Sequence, residues 1–291
     1  MTRECPTIGG FVIHGNSAGT LGRCLDSLLA VCDEVVAVDS ESTDGSAEIV
    51  AARGVRAKIF PWRGFGAARI AALEMLAAAD YVLYLDADER LADGAVDQLV
   101  AWKDEGPDLP QYTVTRRDWA TIDGKRFLFR TETKVRLIRR DCATWDSSMI
   151  VHEALPRRPS KALAVAVEHE FASSLDGIVD KQREYAFLWA VRAHGEGRRS
   201  KTPHGRRVIH WLRNAVVKGA LLRGGGRASR LAWVVSAYHA DKYRYLAAVE
   251  AGMFPAAVDA WRDGRYDALF GMVRRGEHRL ASPGQAIVGT S

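Results

Sequence analysis

Apolar residues are spaced in two ways along the first half of the chain. Short runs of strand-forming residues at 11–14, 34–39, 56–61 and 81–86 alternate with longer segments of helical spacing at 20–30, 46–53, 66–79 and 94–103. In the first helical segment Leu21, Leu25, Leu28 and Leu29 fall on one stripe. Strand–helix alternation of this kind predicts an α/β domain with a largely parallel sheet covered on both faces. From 111 to 140 the texture becomes β-branched and aromatic, interrupted by charge, with a turn signal at Asp123-Gly124, and a more antiparallel stretch of sheet is expected there. Beyond Ala172 the pattern is helical, with segments at 175–194, 205–222 and 228–251, the last two separated by Gly224-Gly225-Gly226. The expected division is therefore 1–172 for the α/β domain and 173–291 for a helical region.

Polar clusters stand where the strands end. In a doubly wound sheet the carboxyl ends of the strands open into the ligand crevice. They carry H-G-N-S after the first strand, D-S-E-S-T-D-G-S after the second and D-A-D-E after the fourth. Asp86 and Asp88 alternate at a strand end, so both point to one side and repel unless a cation neutralises them. A hard divalent ion, Mg2+ or Mn2+, completed by substrate phosphates, is the natural counter-charge. The plainer reading is an acidic turn capping the next helix. Asp39 also ends a strand, where a carboxylate can accept hydrogen bonds from a base or a ribose, whereas Thr43 and Asp44 are helix-capping types. In W-R-G-F-G-A-A-R, Arg69 occupies the place of the third glycine of a dinucleotide fingerprint, and the segment does not follow the first strand. No Walker A sequence occurs, so nicotinamide and P-loop chemistry are set aside. Gly64 and Gly66 leading into a helix start with Arg69 suit a pyrophosphate. V-H-E at 151–153 is on its own more often structural than catalytic.

Net charge changes the picture only in the tail. Lys and Arg number 41 against 36 acids, a formal balance of +5, yet between 192 and 230 a run of basic residues faces the single acid Glu196. The stretch 206–222 reads as one amphipathic helix with Val208, Trp211, Leu212, Ala215, Gly219 and Leu222 on one face. It is either an ordinary packed helix or a surface for anionic lipid. A third possibility, nucleic-acid binding through these cations and Trp211, is opposed by the acids at 86–89. Four cysteines without metal-like spacing, no signal core and no apolar run of about 20 residues predict a cytoplasmic protein, peripheral at the inner face of a membrane if the lipid reading holds.

Together C-L-D-S-L (24–28), E-V-V-A-V-D-S-E-S-T-D-G-S (34–46), P-W-R-G-F-G-A-A-R (61–69), Y-V-L-Y-L-D-A-D-E-R (81–90), K-V-R-L-I-R-R (134–140) and V-H-E resemble the family 2 glycosyltransferases of GT-A fold, within them the lipopolysaccharide-core β-glucosyltransferase group. The resemblance implies a Rossmann-like, mostly parallel sheet with a small antiparallel sheet. It implies inverting transfer of a hexose from a nucleotide-diphosphate sugar, UDP-glucose-like, to a lipid-linked glycan such as lipopolysaccharide core. A protein, peptide or small-molecule acceptor is the alternative, and no nucleic acid is expected. It places Asp39 near the base, Asp86 near the ribose and metal, and Asp88 as principal metal ligand. Glu153 becomes the general base with His152 beside it, and Asn16, Ser40, Ser42, Arg69 and Ala87 join the nucleotide-sugar site. The chain departs from the family in reading I-H-G-N-S-A-G after the first strand, where acidic residues usually follow the Asn. It departs again at Ala68-Arg69-Ile70, where Gln-Arg-Asn is common.

Overall fold

A computed structural model describes residues 5–147, 150, 155–200 and 205–280. Strands β1 (Ile8–His14), β2 (Glu34–Asp39), β3 (Arg56–Ile59) and β4 (Tyr81–Asp86) pair in parallel in the order β3-β2-β1-β4. Period-two alternation splits their side chains between two cores. Ile8 and Val12 of β1 with Leu83 and Leu85 of β4 face α1 (Ala18–Leu29) and α4 (Ala95–Asp104). Phe11 and Ile13 with Val82 and Tyr84 face α3 (Phe65–Met75). The leucine stripe of α1 behaves as its spacing predicts: Leu21, Leu25 and Leu28 are fully buried, each contributing about 1.5–3 kcal/mol, whereas Leu29 is exposed. A short α2 (Ser46–Ala51) joins β2 to β3.

The antiparallel part is not a separate sheet. After β5 (Glu89–Leu91), the strands β6 (Gln111–Ile122), β7 (Lys125–Arg139) and β8 (Ser160–Ala172) extend the first four into one eight-stranded sheet, β3-β2-β1-β4-β7-β6-β8-β5. The turn between β6 and β7 is the Asp123-Gly124 pair, both residues at positive φ (51° and 70°), the backbone that a two-residue hairpin of right-handed twist requires. Strand β8 has no counterpart among the sequence expectations, since its A-L-A-V-A-V-E-H-E mixes small, apolar and charged residues without a clean alternation.

The tail is helical: α5 (Leu175–Gly195), α6 (Arg206–Leu212), α7 (Ala220–Glu250), α8 (Pro255–Arg262) and α9 (Tyr266–Arg274). The hydroxyl of Ser174 caps α5 by accepting from the Gly177 N–H. One expectation fails here. The stretch 206–222 is not a single helix: α6 runs into a wider π turn at Arg213–Val217, and Gly219, at φ 68°, starts α7. Its two apolar faces also part, because Trp211 and Ala215 pack on the β6–β7 hairpin side while Val208, Leu212 and Leu222 remain exposed. The three-glycine run does break the helical path, though inside α7, where Gly225 has φ 56° and ψ −139°. Its neighbour Gly224 lies so close to Phe127 that a Cβ would come within 2.5 Å of the ring.

Candidate active site

The candidate site lies at the carboxyl ends of β1, β2 and β4, where His14 stands opposite Asp39 and Ile13 opposite Asp86, the place at which a parallel sheet opens into a ligand crevice. On its β1–β2 side the loop after β2 is stitched to the start of α1. Ser42 donates both its backbone N–H (2.9 Å) and its hydroxyl (2.6 Å) to Asp39 Oδ1. The hydroxyl of Ser42 also accepts from the Asn16 N–H (3.0 Å), and Asn16 Oδ1 accepts from the Thr43 N–H (2.8 Å). Asn16 sits at φ 49°, a left-handed backbone that Asn tolerates better than most residues. Asp44 takes the Ala18 N–H (2.9 Å) and the Ser46 hydroxyl (2.6 Å), so it caps α1 as well as serving its own helix. Among the described residues Asp39 Oδ2 accepts nothing. His14 lies beside this carboxylate, with Nδ1 at 3.7 Å from Asp39 Oδ1, and burial lowers its pKa despite that neighbour. Ser40 continues the line of β2, its N–H bonded to the His14 carbonyl.

On the β4 side the charge at the strand end has an answer that sequence spacing did not supply. Asp86 Oδ1 accepts from Arg69 (3.0 Å) and Oδ2 from Arg136 of β7 (2.7 Å). Both guanidinium groups lie over the Tyr84 ring, at 4.9 and 4.7 Å. Burial would raise the Asp86 pKa, but Arg136 and Arg69 outweigh it and hold the carboxyl well below the usual range. Arg136 also bonds Glu89, a fully buried acid whose pKa burial pushes up. Arg116 of β6 meets Glu89 at 3.4 Å, Asp118 at 2.8 Å and Glu132 at 3.2 Å. Arg130 joins Asp118 at 2.6 Å. The charges reach this network because inward positions alternate along β6 as Val114, Arg116, Asp118, Ala120, Ile122.

Asp88 joins the edge of that network through one histidine. Its ionic partner among the described residues is His169 of β8, whose Nε2 lies 3.5 Å from Asp88 Oδ2, while His169 Nδ1 contacts Asp118 Oδ1 at 2.7 Å. Burial disfavours the imidazolium, yet the two flanking carboxylates prevail and raise the His169 pKa to about 9. The same partner, against burial, lowers Asp88. The half-buried Ala87 between the two aspartates packs against the α1-side core and so fixes the turn that aims them. Sequence reasoning missed His169, Arg136, Arg116 and Asp118, and marked Glu89 only as one of the acids that follow β4. The signals were faint: a charged i, i+2 pair in R-R-D and one arginine inside V-R-L-I. His152 and Glu153 lie outside the described residues.

Among the described residues no cluster of three His, Cys, Asp or Glu is arranged to hold a metal by itself. Asp88 keeps one oxygen uncommitted and could share a hard cation with substrate phosphates, whereas both ring nitrogens of His169 face carboxylates, so His169 orients Asp88 and is not itself a ligand. Asp86 fits less well, because each of its oxygens already faces an arginine.

The sequence model described as Glycosyl transferase family 2 matches residues 11–162, the stretch that builds this crevice. The chain belongs to glycosyl transferase family 2. Among curated relatives, the lipopolysaccharide core biosynthesis glycosyltransferase LpsC of Rhizobium meliloti (strain 1021) is 30% identical over 212 residues, 67% of this chain and 74% of the relative. An uncharacterized glycosyltransferase of Rickettsia felis is 36% identical over 92 residues, 32% of each protein. The chain is thus a glycosyltransferase with a relative in lipopolysaccharide core synthesis, and its parallel sheet, antiparallel extension and helical tail form the GT-A-type architecture expected for the family. Solved structures similar to it include GalNAc-T7 with UDP, GalNAc and Mn2+ (12% identity, 59% of this chain and 46% of that one, TM-score 0.41). Another is S. aureus TarS (15% identity, 70% and 42%, TM-score 0.40).

Proposed function

We propose that the chain transfers a hexose, with inversion, from a UDP-glucose-like donor to a lipid-linked glycan of the lipopolysaccharide-core kind, acting at the cytoplasmic face of a membrane. The observation that carries this reading is the pairing of an uncommitted Asp39 oxygen at the end of β2 with the Asp88–His169 pair beyond β4, across one crevice. Asp39 accepts the imide N–H of the base, and the Asn16–Ser42 stitching holds that loop rigid around the ribose. Arg69 and Arg136 each hold one oxygen of Asp86, and the remaining lone pairs of this part-exposed carboxylate meet ribose hydroxyls. Asp88, oriented by His169, would hold Mg2+ or Mn2+, which would supply charge neutralisation for the departing diphosphate. Glu153, placed by its V-H-E context alone, takes the proton from the acceptor hydroxyl, with His152 as its neighbour. No covalent intermediate is needed, because acceptor oxygen attacks as the diphosphate leaves. The likeness to LpsC favours a lipid-linked acceptor over a protein or small molecule.

Donor turnover by the purified chain with Mn2+ tests the reading, using UDP-, GDP-, ADP- and dTDP-sugars in parallel. UDP-glucose is expected to be consumed fastest, and no turnover of any sugar nucleotide would refute the assignment. Glu153→Gln is expected to keep donor binding and to slow transfer by roughly two to four orders of magnitude, the usual worth of a positioned base.

A further inference from the structure

The segment from α6 to the start of α7 exposes apolar side chains that a helix in water normally hides. Val208, Ile209, Leu212 and Val216 recur at helical steps along α6 and its π turn. Val217 and Leu222 follow at 81% and 91% exposure. Beside them an apolar groove of about 600 Å3 runs between α5, α6 and α7, lined by Leu175, Val208, Trp211, Trp233 and Val234. Isolated exposed aliphatics mean little, but a contiguous set this size marks a surface that meets something.

Charge selects the partner. From 205 to 240 the chain contains no Asp or Glu. Some cations there are used inside the fold: Lys218 bonds Glu132, Arg230 pairs with Asp123, and Arg223 donates to the Leu128 and Phe129 carbonyls. Arg206, Arg207 and Arg213 have no carboxylate partner among the described residues. Arg206 lies over the Tyr243 ring and Arg207 over Trp233, at 4.7 and 4.1 Å, while Arg213 is exposed beside Leu212. Aliphatic residues flanked by aromatic rings and by arginines without a carboxylate partner, of which Arg207 donates to the Trp233 carbonyl, are the composition of a helix lying at an anionic lipid interface.

We infer that α6, its π turn and the first turn of α7 form a docking face that inserts shallowly into an anionic bilayer. No helix is long and apolar enough to cross a membrane among the described residues, so attachment through this face is peripheral. The face is tied to the site by ion pairs, Lys218–Glu132, Glu132–Arg116 and Arg116–Glu89, which fix the crevice relative to the bilayer surface. The inference rests on the reading of the acceptor as lipid-linked for its purpose, and extends that reading to the surface that meets the lipid.

Vesicle flotation tests it, with UDP affinity measured alongside on the same preparations. The 291-residue chain is expected to float with phosphatidylglycerol-containing vesicles, poorly with pure phosphatidylcholine, and to be released by high salt. The triple variant Ile209→Ser, Val217→Ser, Leu222→Ser, altered only at exposed positions, is expected to bind at least about tenfold more weakly, with unchanged melting temperature and UDP affinity. The pair Arg206→Gln, Arg213→Gln is expected to lose several-fold of the preference for anionic vesicles. Wild-type flotation by the triple variant, or no flotation by the wild type, overturns the inference. So does a change in self-association caused by the triple variant without any vesicle binding, which assigns the face to a second copy of the chain. Vesicle binding without UDP binding would leave the docking face standing and remove the transferase reading.

Discussion

The loop after β2 and the strands β6 and β7 both bring charge to one crevice, and they neutralise it by opposite means. Around Asp39 the partners are the neutral hydroxyl and the backbone N–H of Ser42, three residues away, and that hydroxyl in turn accepts from the Asn16 N–H. Around Asp86 and Glu89 they are guanidinium groups from residues 69, 116 and 136, brought in by separate elements. A local hydrogen-bonded loop can be altered without disturbing the core. A buried ion network cannot, because each charge stripped of its partner stays in low dielectric.

The contrast is broken most severely at Arg136. Arg136→Met leaves Asp86 with Arg69 alone and Glu89 with Arg116 alone, at 3.4 Å, and is expected to cost about 3–5 kcal/mol in denaturant unfolding. A loss below about 1 kcal/mol would show that the network relaxes like a surface one.

Acid probes the outer part of the same network. Burial would raise the Glu132 pKa, but Arg130, Lys218 and Lys134 bring it down to about 2. Its folded-state pKa lies below the unfolded value, so its stabilisation is present above about pH 4.5 and disappears as pH falls toward about 2. Unfolding of Glu132→Gln between those limits is expected to lack roughly 2–3 kcal/mol of the wild type's pH dependence. Parallel curves would remove Glu132 from the account.

The hydrogen-bonded side is expected to respond more mildly. Asn16→Ala loses the Thr43 bond and places a Cβ residue without a compensating amide at φ 49°, for about 1–2 kcal/mol. Asn16→Gly loses the bond but not the backbone fit, and is expected to recover about half of that. Equal losses would mean that backbone conformation plays no part.

This division also decides what could be read from sequence. V-D-S-E-S-T-D-G-S is local, and the turn types and the carboxylate at the strand end are visible within one short window. The Asp123-Gly124 turn was legible for the same reason. The partners of Asp86 were not, since Arg69 is 17 positions away on α3 and Arg136 is 50 away on β7, and only the packing of α3 on the sheet and the pairing of β7 with β4 bring them together. His169 hid in β8, a strand whose inward charged residues spoil the alternation that would announce it. The helical break at Gly219 escaped because the apolar steps on either side keep nearly the same period.

The central claim is that the crevice binds a nucleotide diphosphate through a divalent cation held at Asp88. Calorimetric titration of UDP into the protein tests it directly, with Mn2+ or with excess EDTA, for the wild type and for Asp88→Asn. Binding by the wild type is expected only with Mn2+, and Asp88→Asn is expected to lose it while melting close to the wild type, since Asp88 is part-exposed and touches the buried ion network only through His169. Equal UDP affinity in EDTA, or in Asp88→Asn with Mn2+, would contradict the account.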